Sequence, residues 1–145
     1  MTAWLCLAVF FLERPMMAKF KFGAPPKTFK RNIKFKTLEG VDENFDVTFR
    51  FRTRNEFGAL IDEIKAAAKD RGAKAKDGDE LTLAEMMAAT TGDNGKYLLK
   101  ALEGWEFEQE LNEANAQRLC NEFPAAAGAI MEAYRVACAE GRLGN

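Results

Sequence analysis

The residue types that most often perform catalysis or hold metal ions are scarce in this chain. Its 145 residues include no histidine, which removes the commonest general base and the commonest metal ligand. The three cysteines, Cys6, Cys120 and Cys138, cannot pair completely and show no C-x-x-C spacing. We therefore expect reduced thiols rather than a zinc site or a disulfide framework, and no neighbour in sequence would activate a thiolate.

Two runs of carboxylates have residue types suited to acid–base chemistry or cation binding. Their members are Glu106, Glu108 and Glu110 in the first run and Asp77, Asp79 and Glu80 in the second. Neither run has the twelve-residue spacing of an EF-hand, and the glycines do not form the phosphate-binding pattern G-x-x-x-x-G-K-[ST]. We interpret both runs as solvated surface, and the sequence predicts no enzyme, no metal site and no cofactor.

Composition favours one folded domain with an uneven charge distribution. The chain is 48% hydrophobic and 30% charged, with 21 basic and 22 acidic residues, which argues against disorder. Residues 17–54 hold ten basic and four acidic residues, whereas residues 55–145 hold ten and seventeen. This asymmetry indicates either an electrostatic partner for the first part or mutual attraction of the two parts within the fold.

The first sixteen residues differ from the rest. Ala3 to Leu12 is an apolar run of ten residues, about half of the roughly 20 that a membrane-spanning helix needs. It has no preceding basic residue and no small-residue cleavage site, so it does not fit a secretory signal. Because a basic, alternating sequence begins at Met16 and Met17, we predict that residues 1–16 lie upstream of the natural start and that residues 17–145 form a single α+β domain.

Residues 17–72 are predicted to form a basic ββα unit. Polar and apolar residues alternate from Phe29 to Thr37 and from Asn44 to Thr53, and the short link between them contains a glycine, which predicts an antiparallel hairpin. Thr53 and Glu56 match a capping box that opens a helix ending at Gly72. We expect this helix to cover the phenylalanine-rich face of the hairpin. The opposite, basic face would carry Lys34, Lys36, Arg50 and Arg52.

Residues 73–81 are charged and poor in apolar residues, so they are predicted to be a mobile linker before a small helical bundle at 82–145. In the bundle, one helix begins after Thr82 and ends by Gly92, and a second, capped by Asp93, ends at Gly104. An aromatic link, Trp105 to Phe107, leads to two further helices. Asn112 caps the first of these, Pro124 begins the second, and Gly141 ends it.

Four apolar residues near the linker and the aromatic link are candidates for contact with a partner protein: Met86, Met87, Trp105 and Phe107. Methionine adapts to varied partners, although gap-filling in a core is its more common use. Polar substitutions that removed binding without changing the circular dichroism spectrum would support the binding role, whereas loss of the fold would show that these are core residues.

The C-terminal region contains a recognisable series of residues: Trp105, Asn112, Asn115, Leu119, Phe123-Pro124, Ala125 to Ala127, Ile130, Tyr134-Arg135 and Gly144-Asn145. In this series the chain resembles phage tail assembly chaperones. The basic strand pair that ends at Phe49 to Arg52 and runs into a helix is also similar to members of this group, whereas the apolar start is not part of the pattern.

The resemblance implies a phage or prophage protein of the bacterial cytoplasm that is absent from the mature virion. It would coat the tape measure protein, keep it soluble and help recruit tail tube subunits during virion assembly, with self-association left open. Many relatives also exist as a longer product of ribosomal frameshifting. No membrane contact is implied and nucleic acid is not expected. The alternative is a small nucleic-acid-binding module that uses the basic hairpin, and strongly salt-dependent binding to single-stranded RNA or DNA would favour it.

Overall fold

The computed structural model describes residues 22–74 and 80–142. The apolar leader, the alternating residues 19–21, the centre of the predicted linker and the final residues 143–145 lie outside the described residues. The elements are β1 (Thr28–Lys36), β2 (Asp42–Arg50), α1 (Arg54–Lys74), α2 (Leu83–Ala101), β3 (Leu102–Trp105), α3 (Glu113–Glu122) and α4 (Pro124–Arg135), which continues as a π-helical turn, Val136–Glu140. The predicted α+β class, with an N-terminal antiparallel hairpin, is confirmed.

The predicted antiparallel hairpin is present. Its turn is closed by a hydrogen bond from the Thr37 amide to the Val41 carbonyl, 2.9 Å long. Gly40 has a φ of +79°, in the left-handed region that a side chain disfavours, so a glycine suits this turn. The alternation places one apolar residue after another on the inner face of the sheet: Ile33, Phe45, Val47 and Phe49 are buried there, and Phe29 and Phe35 are half-buried.

A third strand, β3, completes the sheet in the order β1-β2-β3. It runs antiparallel to β2, with Trp105 opposite Val47, and the register shifts between Thr48 and Phe49. The sequence predicted this segment as the end of a helix and an aromatic link within a helical bundle, which was wrong. Four residues are too few to show an alternating pattern, and their partner strand lies more than 50 residues earlier in the chain.

Helix α1 begins as predicted but ends later. The Thr53 amide donates to Glu56 Oε2 (2.7 Å), and the Glu56 amide donates to Thr53 Oγ1 (3.3 Å), which confirms the capping box. The helix then continues past Gly72 to Lys74, so the predicted stop was wrong. A glycine inside a helix costs only about 1 kcal/mol relative to alanine, which neighbouring turns can offset.

The helix that packs across the inner face of the sheet is α4 rather than α1. Its buried face contains Ala126, Ala127, Ile130 and Tyr134, and the two alanines let the helix axis approach the strands closely. The prediction that the helix after Thr53 covers the hairpin was therefore wrong about which helix does so. Helix α1 contributes Phe57 and Leu60 to the same core from its margin.

Helix α2 is continuous where the sequence predicted two helices. The capping box of Thr82 and Glu85 is confirmed at its start. However, the helix passes through Gly92 without a break. The Asp93 carboxylate does not cap a new helix but forms an ion pair with Arg71 of α1. Continuity places the apolar stripe of the second half against the core, where Tyr97, Leu98 and Ala101 are buried. The gain from this burial exceeds the cost of a helical glycine.

The caps predicted for the last two helices are confirmed. Asn112 Oδ1 accepts a 2.8 Å hydrogen bond from the Asn115 amide at the start of α3. Pro124 occupies the first turn of α4, and Gly141, with a φ of +67°, ends the π-helical turn. No helix among residues 22–74 and 80–142 has both the length and the apolar character needed to cross a bilayer.

Tyr134 lies at the centre of the core with none of its side chain exposed. Its hydroxyl donates to the Arg50 carbonyl (2.9 Å) and accepts from a terminal guanidinium nitrogen of Arg52 (2.8 Å). This pair of hydrogen bonds fixes the end of β2 to α4. The phenol ring also lies within 6.5 Å, between centroids, of four other rings, which belong to Phe29, Phe49, Phe57 and Tyr97.

The two buried tyrosines make the fold sensitive to alkali. Burial raises the pKa of Tyr134 to about 12 and raises that of Tyr97 as well, from about 10 in an unfolded chain. Because the folded pKa is the higher one, their contribution to stability is complete below about pH 10 and is lost as the pH rises towards 12. We expect the free energy of unfolding to fall over this interval in guanidinium titrations, and tyrosinate absorbance to appear only with unfolding.

The control for this expectation is the double variant Tyr97→Phe/Tyr134→Phe, which keeps the rings and removes both ionisable hydroxyls. Its stability should fall less steeply between about pH 10 and 12, because both ionisable phenols have been removed. An equally steep fall in both proteins would contradict the assignment to the tyrosines.

Candidate functional site

An apolar cavity opens between the sheet and the helix pair α3 and α4. Its volume is about 200 Å³, and most of its lining is carbon. We name it the aromatic cavity after the residues that form its wall: Phe35, Trp105 and Phe107 from the sheet side, and Leu119, Phe123 and Ala126 from the helices. A cavity of this size accepts about one large side chain of another polypeptide.

The sheet wall of the aromatic cavity depends on β3. Pairing with β2 places Trp105 opposite Val47, and the indole Nε1 donates to the Gln109 carbonyl at 2.7 Å. The Phe107 ring lies 4.8 Å from the ring of Phe45 and 5.2 Å from that of Trp105. Trp105 and Phe107 are therefore half-buried and part of the packed structure, and polar substitutions at these two positions would also destabilise the fold.

The helix wall depends on the tight corner between α3 and α4. Phe123 ends α3, where its amide donates to the Leu119 carbonyl (2.8 Å), and it also immediately precedes α4. Phe123 is the single residue between the two helices. Its side chain is 52% exposed at the mouth of the cavity. Its exposed ring adds apolar surface to the mouth of the cavity. The sequence showed Phe123 only as part of a motif and gave no sign of its exposure.

Two further depressions adjoin the aromatic cavity around α3. One lies beside the hairpin turn and shares Phe35, Glu122 and Phe123 with it. The other is a groove between α2 and α3 that shares Arg118. Arg118 and Glu122 form an ion pair of 2.7 Å on the ridge between these spaces. The aromatic cavity and the space beside the hairpin turn are mainly apolar, whereas the groove between α2 and α3 has a mixed lining that includes Thr91, Gln117 and Asn121.

The two methionines proposed from sequence lie elsewhere. Residues 81–90, the start of α2, are all exposed, with Met86 46% and Met87 61% exposed. Met87 lines the groove between α2 and α3, while Met86 lines none of the three depressions. The structure therefore brings Trp105 and Phe107 together but does not add the methionines to them.

The basic face predicted on the hairpin is a face of mixed charge. Lys36 pairs with Asp42 (2.7 Å), and Arg50 pairs with Glu103 of β3 (2.9 Å), while Lys34 remains exposed. Because Asp42 of β2 and Glu103 of β3 pair with two of these cations, the exposed side of the sheet carries charges of both signs.

The assignment of Arg52 to the basic face was wrong. Strand β2 ends at Arg50, three residues before the predicted end at Thr53. The Arg52 guanidinium is half-buried and donates to the Lys100 carbonyl (2.7 Å) and to the Tyr134 hydroxyl. Arg52 therefore links β2, α2 and α4.

The described thiols and carboxylates form no reactive arrangement. Burial raises the pKa of Cys120 to about 11 and raises that of Cys138, so both thiols are protonated at neutral pH. Within residues 22–74 and 80–142, no group of three or more histidines, cysteines or acids is placed to hold a metal ion. Asp77 and Asp79 lie outside the described residues.

Fold and surface together define a small α+β protein whose most distinctive described site is an apolar cavity surrounded by polar residues. A family model described as phage tail assembly chaperone matches residues 17–145. The chain belongs to the phage tail assembly chaperone family. No curated protein and no solved structure gives a significant match to it.

Proposed function

We propose that the chain binds the tape measure protein during phage tail assembly, keeps its apolar stretches soluble and helps to recruit tail tube subunits. It would act in the cytoplasm of the infected bacterium, remain outside the finished virion and catalyse no reaction. Family membership supports the general role of a tail assembly chaperone. The finer role is supported by the aromatic cavity, since chaperones of this kind must accept exposed apolar side chains.

The aromatic cavity is the structural feature on which the proposal rests. It is lined mostly by carbon and bordered by Phe123, whose side chain is 52% exposed among the described residues. Burial of one phenylalanine contributes about 1.5–3 kcal/mol, which corresponds to roughly ten- to 150-fold in affinity. Weak contacts of this size suit a chaperone that binds repeatedly along a long chain and is later displaced.

The proposal is tested by co-expressing the tape measure protein with the Phe123→Ser variant. We expect recovery of the complex in a pull-down to fall at least about tenfold, because the variant removes the apolar mouth of the cavity. The circular dichroism spectrum and the melting temperature should remain close to those of the unchanged protein, since the ring is largely outside the core.

The matched control is Val41→Ser in the hairpin turn, which is 53% exposed and outside the lining of the aromatic cavity. It should retain binding. Equal recovery of the tape measure protein with the Phe123→Ser variant and with the unchanged chain would exclude the aromatic cavity as the binding site.

The nucleic-acid alternative has no structural observation in its favour. Two of its four proposed cations, Lys36 and Arg50, are paired with acids, and Arg52 is committed to the core.

A further inference from the structure

An acidic border accompanies the aromatic cavity along the segment that follows β3. Residues 103–117 include five glutamates and no lysine or arginine, and the one cation that lines the cavity, Arg118, is paired with Glu122. Trp105, Phe107 and Gln109 line the cavity. The residues that alternate with them, Glu106, Glu108 and Glu110, are exposed.

These glutamates differ in what they already contact. The Glu106 carboxylate accepts a 2.9 Å hydrogen bond from the Asp46 amide, which ties this residue to the sheet. The carboxylates of Glu108 and Glu110 have neither an ion pair nor a hydrogen bond with any residue that the structure describes. Both glutamates are next in sequence to residues of the cavity lining, Phe107 and Gln109, so each exposed carboxylate belongs to a residue adjacent to the wall of the aromatic cavity.

We infer that the aromatic cavity binds a basic amphipathic helix, which places one large apolar side chain in the cavity and its lysines or arginines beside Glu108 and Glu110. This inference rests on the proposed function and specifies the chemistry of the bound segment. Opposite charges at the border of an interface speed association and exclude partners of the wrong sign. Burial of the apolar side chain in the cavity supplies most of the affinity. The glutamates beside it favour basic segments over acidic ones.

The arrangement of the depressions favours a helix over a single isolated anchor. The aromatic cavity shares residues with the space beside the hairpin turn on one side and with the groove between α2 and α3 on the other. One face of a helix presents apolar residues at i, i+3 or i+4, and i+7, with a rise of about 5 Å per turn. The aromatic cavity and the space beside the hairpin turn share Phe35, Glu122 and Phe123, so we expect two apolar residues about one turn apart on such a helix to occupy them.

Two synthetic peptides of about 18 residues test the inference, since much shorter helices are marginal in water. Both carry the same leucines on one face, and their flanking positions are lysine in one peptide and glutamate in the other. Affinity for the full chain is measured by fluorescence anisotropy in about 50 mM and about 300 mM salt. We expect the lysine peptide to bind at least about fivefold more tightly at low salt, and the preference to shrink at high salt.

The double variant Glu108→Gln/Glu110→Gln should abolish most of this preference while leaving the fold intact. Its matched control is Asp62→Asn/Asp70→Asn on α1, which removes the same charge from two exposed positions outside the cavity lining. The control should keep most of the preference, because screening weakens the effect of distant charges.

The Phe123→Ser variant separates this inference from the proposed function. If it weakens both peptides equally and no charge preference exists, the cavity binds apolar side chains and the inference about charge is overturned. If it changes neither peptide, while the preference depends on Glu108 and Glu110, the binding is electrostatic and the role of the cavity is overturned. A preference for the glutamate peptide, or no binding of either peptide, also overturns the inference.

Discussion

Replacing Tyr134 with alanine is expected to lower the free energy of unfolding by about 3–5 kcal/mol, the range observed for removal of large buried aromatic side chains. The ring is fully buried and contacts four other aromatic rings, and its hydroxyl joins β2 to α4. Because domains are usually stable by only about 5–15 kcal/mol, the variant should be close to unfolding at 37 °C. Denaturant titration followed by circular dichroism measures the change.

Tyr134→Phe separates the two contributions and remains measurable if the alanine variant does not fold. It keeps the ring contacts and leaves the Arg50 carbonyl without its donor, so a loss of about 1–3 kcal/mol is expected. Gly128→Ala on the exposed side of the same helix is the control, since no atom lies within 4 Å of an added Cβ there. A loss below about 1 kcal/mol for Tyr134→Ala would contradict the position of this residue at the centre of the core.

Gly95→Ala is expected to destabilise the protein by about 1–3 kcal/mol, although alanine is the better helix former. A Cβ at residue 95 would lie 2.5 Å from Gln117 Cγ and 3.1 Å from the Gln117 backbone nitrogen. Helices α2 and α3 would have to move apart to admit it. Since α3 forms one wall of the aromatic cavity, the variant should also weaken peptide binding.

Gly92→Ala, one turn earlier in the same helix, provides the comparison. Nothing lies within 4 Å of its added Cβ, so the gain in helix propensity should stabilise the protein by about 0.5–1 kcal/mol. The midpoints of denaturant unfolding should therefore shift in opposite directions for the two variants. Stabilisation by both substitutions would show that α2 and α3 do not approach closely at Gly95.

The candidate site was only partly predictable from the sequence. Trp105 and Phe107 could be singled out because two aromatic residues in a short link are unusual, and both line the aromatic cavity. Phe35 and Leu119, by contrast, look like ordinary apolar residues of a strand and a helix. They line the same cavity because α3 packs beside the sheet. No local sequence pattern predicts that packing.

The same limit explains the errors about Arg52 and α2. Alternation along β2 assigned Arg52 to the solvent face, but the strand ends at Arg50 and Tyr134, more than 80 residues later, supplies the partner. Gly92 and Asp93 together looked like the end of one helix and the cap of the next. Burial of Tyr97 and Leu98 and the ion pair from Arg71 favour one continuous helix instead.

The sequence by itself determined the features that depend on neighbours within a few residues. These are the alternating strands and glycine turn of the hairpin, the capping boxes at Thr53 and Thr82, the Asn112 cap, and the start of α4 at Pro124. Tertiary structure alone decided that β3 joins the sheet, that α4 covers it and that an apolar cavity with acidic neighbours remains beside α3. Each of these features depends on how much apolar surface is buried when segments distant in sequence pack together. The free energy of that burial cannot be read from any single stretch of the chain.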